Sequence, residues 1–137
     1  MNQLKATIRQ IENIDNLNLL TLSCGKQHIR ILTLELNPNL KVGSVVTLSL
    51  KSTDIAIAKN CNGILSYTNQ LKAKITHLNN GKLLSSVRVD IEGFGLESII
   101  MLDSSLKMGL RVSDEVVILI QGSDISICGE KIVCLKP

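Results

Sequence analysis

The residues best suited to chemistry lie in a short polar run, Lys51-Ser52-Thr53, that follows an apolar stretch. The run presents one cation, two hydroxyl groups and the backbone N–H groups that become free where a strand ends. Such groups suit a small dianion, because hydrogen bonds to a charged acceptor are stronger than those between neutral groups. Ser and Thr at a strand end also form turns without any ligand, so the run alone leaves both interpretations open.

Similar donors occur at two other places in the chain. The run Ser66-Tyr67-Thr68-Asn69 lies near its middle, and Ser104 stands near the start of a predicted helical turn. A hydroxyl at that point lies beside the positive end of the helix, which favours an anion. Both places are therefore candidate contributors to the same kind of site.

Motifs of the common enzyme classes are absent from the sequence. There is no Gly-rich phosphate loop, no Gly-x-Ser-x-Gly elbow and no His-Glu-x-x-His. The two histidines, His28 and His77, have no nameable partner for a catalytic triad. We therefore predict no catalytic residues and a protein that is not an enzyme.

The four cysteines do not form a metal-binding pattern. Cys24, Cys61, Cys128 and Cys134 include no Cys-x-x-Cys pair, and neither histidine lies at a ligand spacing from them. Lone cysteines usually behave as small apolar residues. We expect free thiols, no metal site and no organic cofactor.

Composition and charge exclude several classes of partner. The net charge is +3, from 15 basic and 12 acidic residues without a charged run, so neither nucleic acid nor a membrane surface is indicated. No apolar run is long enough to cross a bilayer, and the residues after Met1 do not resemble a secretion signal. We expect a cytoplasmic protein with an aliphatic core.

An internal repeat divides the chain. The pentapeptide 2–6, Asn-Gln-Leu-Lys-Ala, recurs unchanged at 69–73, and the segment 51–57 aligns with 121–127. The offset grows from 67 to 70 residues between these two anchors, so the second copy carries three extra residues. The predicted units are residues 1–65 and 66–137.

Each copy has the alternation that is typical of strands. Val87, Val89 and Ile91 face one way while the charged residues between them face the other, a period of two. About five short strands fit into each copy, with one helical turn over 104–108 in the second, capped by Asp103 and ended by Gly109. The pattern predicts an all-β protein with two tandem, small, closed or nearly closed barrels of the oligonucleotide/oligosaccharide-binding (OB) type.

These motifs resemble a known family. The repeated Asn-Gln-Leu-Lys-Ala, with Ser66-Tyr67-Thr68 before its second copy, is similar to the Ser-Ala-Arg-Asn-Gln-Leu-Lys-Gly opening of the molybdate-binding Mop or TOBE domains. The segment 42–52 resembles the closing pattern of that family, a Gly, an apolar alternation and Lys-Ala/Ser. Together the matches span the chain as a tandem pair, similar to the molbindins and to the ligand-binding half of molybdate-responsive regulators.

The resemblance implies OB-like five-stranded barrels, strand exchange between copies, and oxyanion sites where barrels meet. One side of a site falls on Ser66 and Thr68. The opposing side falls on Thr33, Lys51 and Ser52 in the first copy, and on Ser104, Gln121 and Gly122 in the second.

Some family residues are missing from this chain. Thr68 stands in place of the family Arg, and Gln121 in place of the second lysine. The better-equipped site is therefore expected to use Lys51.

The resemblance implies that the chain binds molybdate or tungstate for intracellular storage, buffering or sensing. It also implies a homo-oligomer, for which a trimer is favoured over a dimer. A degenerate oligomerisation or docking domain without a ligand is the alternative that the missing residues favour. Binding of single-stranded nucleic acid is a third reading, which the near absence of aromatic residues disfavours.

Overall fold

The computed structural model describes residues 1–128 and contains two copies of one arrangement of strands. The first copy contains β1 (Asn2–Ile14), β2 (Leu17–Cys24), β3 (Gln27–Thr33), β4 (Val45–Leu50) and β5 (Ala56–Ala58). The second contains β6 (Asn69–Asn80), β7 (Leu84–Ile91), β8 (Phe94–Met101), helix α1 (Leu102–Met108), β9 (Glu115–Ile120) and β10 (Ser126–Ile127). A 3-10 turn follows β4 at Ser52–Asp54, and another follows β9 at Gly122–Asp124.

The strands follow the alternation read from the sequence. Along β6, Leu71, Ala73 and Ile75 are buried while Lys72 and Lys74 are exposed. This is the pattern of a sheet with one face in the core.

Two five-stranded sheets confirm the predicted tandem all-β barrels. The strand orders are β10-β4-β1-β2-β3 and β5-β9-β6-β7-β8. The short strand β5 therefore completes the sheet of the second copy, and β10 completes that of the first. The expected exchange of strands between copies is present in the structure.

A single apolar core joins the two sheets. Leu20 and Ile31 of the first copy belong to the same buried cluster as Val87 and Ile118 of the second. Because the two copies share strands and a core, the apolar side chains of each sheet are buried partly by the other sheet.

The three extra residues of the second copy lie between β8 and β9, where α1 replaces an irregular segment of the first copy. As predicted, α1 ends at Gly109, whose φ of 59° lies in the left-handed region that glycine adopts readily. The predicted start was wrong. The helix begins at Leu102, and Asp103 lies within its first turn instead of capping it.

The linker after β5 is hydrogen-bonded to the C-terminal end of α1 through Lys59. Lys59 Nζ donates to the carbonyl groups of Met108 at 3.2 Å and Gly109 at 2.9 Å, and it lies 3.0 Å from the Asp114 carboxylate. A cation at this helix end satisfies carbonyl groups that lack helical partners. The hydrogen bond from Lys59, followed by that from the Arg111 backbone, lowers the pKa of Asp114.

The cysteines differ from expectation at one described position. Cys24 is a buried free thiol, and burial raises its pKa, while Cys61 is an exposed free thiol. Cys128 is disulfide-bonded, so the expectation of a free thiol was wrong there. Cys134 lies outside the described residues.

Candidate functional site

The candidate groups are organised around the two 3-10 turns, which occupy equivalent places in the two copies. Lys51 precedes the first turn with φ −79° and ψ 138°, and Gln121 precedes the second with φ −75° and ψ 140°. Each turn packs on the third strand of the other copy, the first on β8 and the second on β3. Both therefore lie where the two copies meet.

The first turn buries a hydroxyl beside a carboxylate. Ser52 is only 6% exposed, accepts a hydrogen bond from Asn2 Nδ2 at 3.3 Å and donates to Glu97 Oε1 at 3.3 Å. The other oxygen of Glu97 accepts from Ser86 Oγ at 2.7 Å. Lys51 is exposed beside this network.

The second turn has no side chain at the matching position. A Cβ on Gly122 would lie 2.9 Å from the carbonyl oxygen of Arg30, closer than real Cβ atoms come. Gly122 lines a cavity of about 220 Å³ together with Thr68 and Gln121. The second turn and Thr68, which lies in the linker between the copies, therefore line the same cavity.

Two asparagines of the repeated pentapeptide attach the copies to each other. Asn69 accepts from the Arg30 N–H at 2.8 Å and donates to the Arg30 carbonyl at 2.9 Å and the Ile120 carbonyl at 3.2 Å. Asn2 makes the reciprocal pair of bonds with the N–H and carbonyl of Glu97, at 2.8 and 2.9 Å. Asn69 lies 67 residues after Asn2, and Glu97 lies 67 residues after Arg30. The two contacts are therefore the same contact made in both directions.

These bonds explain why the asparagine is repeated. β3 and β8 each lie at one edge of their sheet, and an edge strand presents unpaired backbone groups. A side-chain amide offers an N–H group and a carbonyl side by side, as a neighbouring strand would, so it can pair with both backbone groups of one residue. Each asparagine thus covers the edge of the other copy.

A basic cavity adjoins the second turn. It has a volume of about 440 Å³ and includes Lys26, His28 and Arg30 with the hydroxyl-bearing Thr21 and Thr68. Arg30 lies 3.9 Å from Glu12, with both side chains about half exposed. Thr68 lines this cavity as well as the smaller one at Gln121 and Gly122.

The remaining candidates occupy separate positions. Thr33 donates to the Glu35 carbonyl at 2.9 Å and lines a third cavity, of about 510 Å³, beside Ser123. Ser66 is exposed in the linker and Ser104 is exposed on α1. Within the chain, the structure brings Thr68 together with Gln121 and Gly122, and it places Lys51 and Ser52 at the other turn.

Sequence reasoning missed three residues that surround these turns, namely Asn2, Asn69 and Glu97. The identical asparagines were visible in the repeat, but their partners lie in the other copy. Among residues 1–128, no group of three or more potential metal ligands is gathered. None of the helices in the same range is long and apolar enough to cross a membrane.

The sequence and the fold of this chain are similar to those of known proteins. Residues 65–127 match the family model of the TOBE domain. No curated protein matches the chain. The cytoplasmic molybdate-binding protein ModG, in a crystal form with molybdate bound, aligns with a TM-score of 0.87 and 17% identity, over 92% of this chain and 94% of ModG.

Two shorter structures align with about half of the chain. MopII from Clostridium pasteurianum aligns with 31% identity and a TM-score of 0.46, over 48% of this chain and all of MopII. A molybdate-binding protein from Sporomusa ovata aligns with 23% identity and a TM-score of 0.42, over 54% of this chain and all of that protein. The likeness to ModG supports the fold of the residues that the structure describes.

Proposed function

We propose, since residues 65–127 are a TOBE domain whose fold the first half of the chain repeats, that this protein binds molybdate or tungstate and is not an enzyme. The observation that carries the proposal is the gathering of Thr68, Gln121 and Gly122 around one small cavity in such a fold. A tetrahedral oxyanion accepts hydrogen bonds, and hydroxyl, amide and backbone N–H groups can donate them. ModG, which shares the fold over 92% of this chain, has molybdate bound in its crystal structure.

The family resemblance selects the candidates from which the site is built, at both turns and beside them. They are Thr33, Lys51, Ser52, Ser66, Thr68, Ser104, Gln121 and Gly122. The proposed role is storage, buffering or sensing of the oxyanion in the cytoplasm, the location given for ModG.

Calorimetric titration tests the ligand. We expect molybdate and tungstate to bind with micromolar affinity or better, which requires about 8 kcal/mol. That amount corresponds to a few hydrogen bonds to a charged group, at about 1.5–3 kcal/mol each. Sulfate has the same charge and shape but shorter bonds, so fixed donors should bind it more weakly.

Sulfate and phosphate are the controls in this titration. Equal heats for sulfate and molybdate, or none for either, would contradict the proposal. In that case the alternative is a docking or oligomerisation domain without a ligand, which the replacement of the family lysine by Gln121 favours. A salt-dependent shift with a single-stranded oligonucleotide would instead indicate nucleic-acid binding.

We also propose a homo-oligomer, most simply a trimer, with a dimer as the second possibility. Apolar side chains are exposed at equivalent places in both copies, Leu17 and Leu34 in the first and Leu84 and Met101 in the second. Apolar groups of this size gain stability when a neighbouring subunit covers them. Light scattering coupled to size exclusion is expected to give about three times the chain mass of 14.9 kDa. A mass of one chain would contradict the proposed oligomer, and full molybdate binding by that monomer would show that one chain supplies the whole site.

A further inference from the structure

The first turn already contains an anion that belongs to the protein. The two oxygens of Glu97 lie 3.3 Å from Ser52 Oγ and 2.7 Å from Ser86 Oγ. An ionised carboxylate only accepts hydrogen bonds, so both hydroxyls donate to it. A hydroxyl has one proton to donate, and Ser52 therefore has none left for an external oxyanion.

The second turn has the opposite charge at the equivalent strand position. Arg30 stands where the first turn has Glu97, since each provides the backbone groups bound by an asparagine of the repeat. The described residues that line the cavity at Gln121 and Gly122 carry neither a carboxylate nor a cation. Thr68 connects that cavity to the basic one, where Lys26 and Arg30 provide positive charge.

We propose that Glu97 is an internal anion that excludes dianions from the turn at Lys51 and Ser52, and that each chain binds one oxyanion at Thr68, Gln121 and Gly122. This inference rests on the proposed function, because it states which of two equivalent turns takes the oxyanion. A dianion beside Ser52 would lie within a few ångströms of the Glu97 carboxylate, where like charges repel strongly. The exposed Lys51 can offset that repulsion only weakly, because water screens an exposed charge.

Two substitutions of similar size, Glu97→Gln and Gln121→Glu, test the proposal by calorimetric titration with molybdate. The wild-type protein is expected to bind one anion per chain. Glu97→Gln removes the internal charge without changing side-chain size and should raise the stoichiometry to two. Adding Lys51→Ala to that variant should weaken the second event at least tenfold, because it removes the lysine that precedes the opened turn.

The complementary variant places a carboxylate at the second turn. Gln121→Glu should weaken wild-type binding at least tenfold, while Asn79→Asp, which adds a carboxylate at an exposed position near the far end of β6, serves as the matched control. Circular dichroism melts establish that each variant is folded. A stoichiometry of one for both the wild type and Glu97→Gln, or unchanged binding in Gln121→Glu, would overturn the inference. Absence of binding in every protein, including Glu97→Gln, would instead overturn the proposed function itself.

Discussion

Replacing Asn69 by Ala is expected to lower the free energy of unfolding by about 3 kcal/mol or more. The side chain is only 3% exposed and makes three hydrogen bonds to the backbone of Arg30 and Ile120. Each buried donor or acceptor that loses its partner costs about 1–3 kcal/mol, out of a typical total stability of 5–15 kcal/mol. Thermal denaturation followed by circular dichroism should show a melting temperature lower by roughly 10 °C.

Two further variants separate this contact from ordinary surface effects. Lys72→Ala changes an exposed residue of the same strand and should leave the melting temperature nearly unchanged. Asn2→Ala removes the reciprocal contact and should destabilise less than Asn69→Ala, because Asn2 is only partly buried. If Asn69→Ala had the same melting temperature as Lys72→Ala, the hydrogen bonds of Asn69 would not stabilise the contact between the copies.

Much of the fold could be predicted because it depends on patterns between residues that are close in the sequence. The alternation in β6 and β7 predicts strands, and the growth of the repeat offset predicts three extra residues in the second copy, which the structure has at α1. Gly109 marks the helix end correctly, because a left-handed residue is a local requirement. Asp103 failed as a cap because the chain enters the helix directly from β8, so no loop precedes it.

The candidate site was harder to predict because its contacts cross between the copies. Glu97 reads as a solvent-facing residue of a strand, and its partner Ser52 lies 45 positions earlier. Arg30 and Asn69 are 39 positions apart. From sequence alone, the intact lysine made the turn at Lys51 appear better equipped. The carboxylate that faces it becomes visible only when β8 is placed beside that turn.

The exchange of strands has a consequence for the isolated halves. A half-chain of residues 66–137 keeps β9 and β10 but loses β5, which pairs with β9 in the whole protein. The equivalent strand β10 can replace β5 only if it comes from a second copy of the same half. Such a pair would repeat the two-fold relation between the copies, an isologous contact in which Asn69 of each half binds Glu97 of the other.

We therefore expect residues 66–137 to fold only as a dimer, with a melting temperature that rises with protein concentration. Residues 1–65 should dimerise less well, because Ser52 would then occupy the place of Gly122, where a Cβ lies 2.9 Å from the Arg30 carbonyl. Ser52→Gly removes that collision and should strengthen the dimer of the first half. Analytical ultracentrifugation of the three half-chains over a concentration series measures these equilibria. A folded monomer of either half would mean that strand exchange is dispensable, and equal dimerisation of residues 1–65 with and without Ser52→Gly would show that the collision is relieved by movement of the backbone.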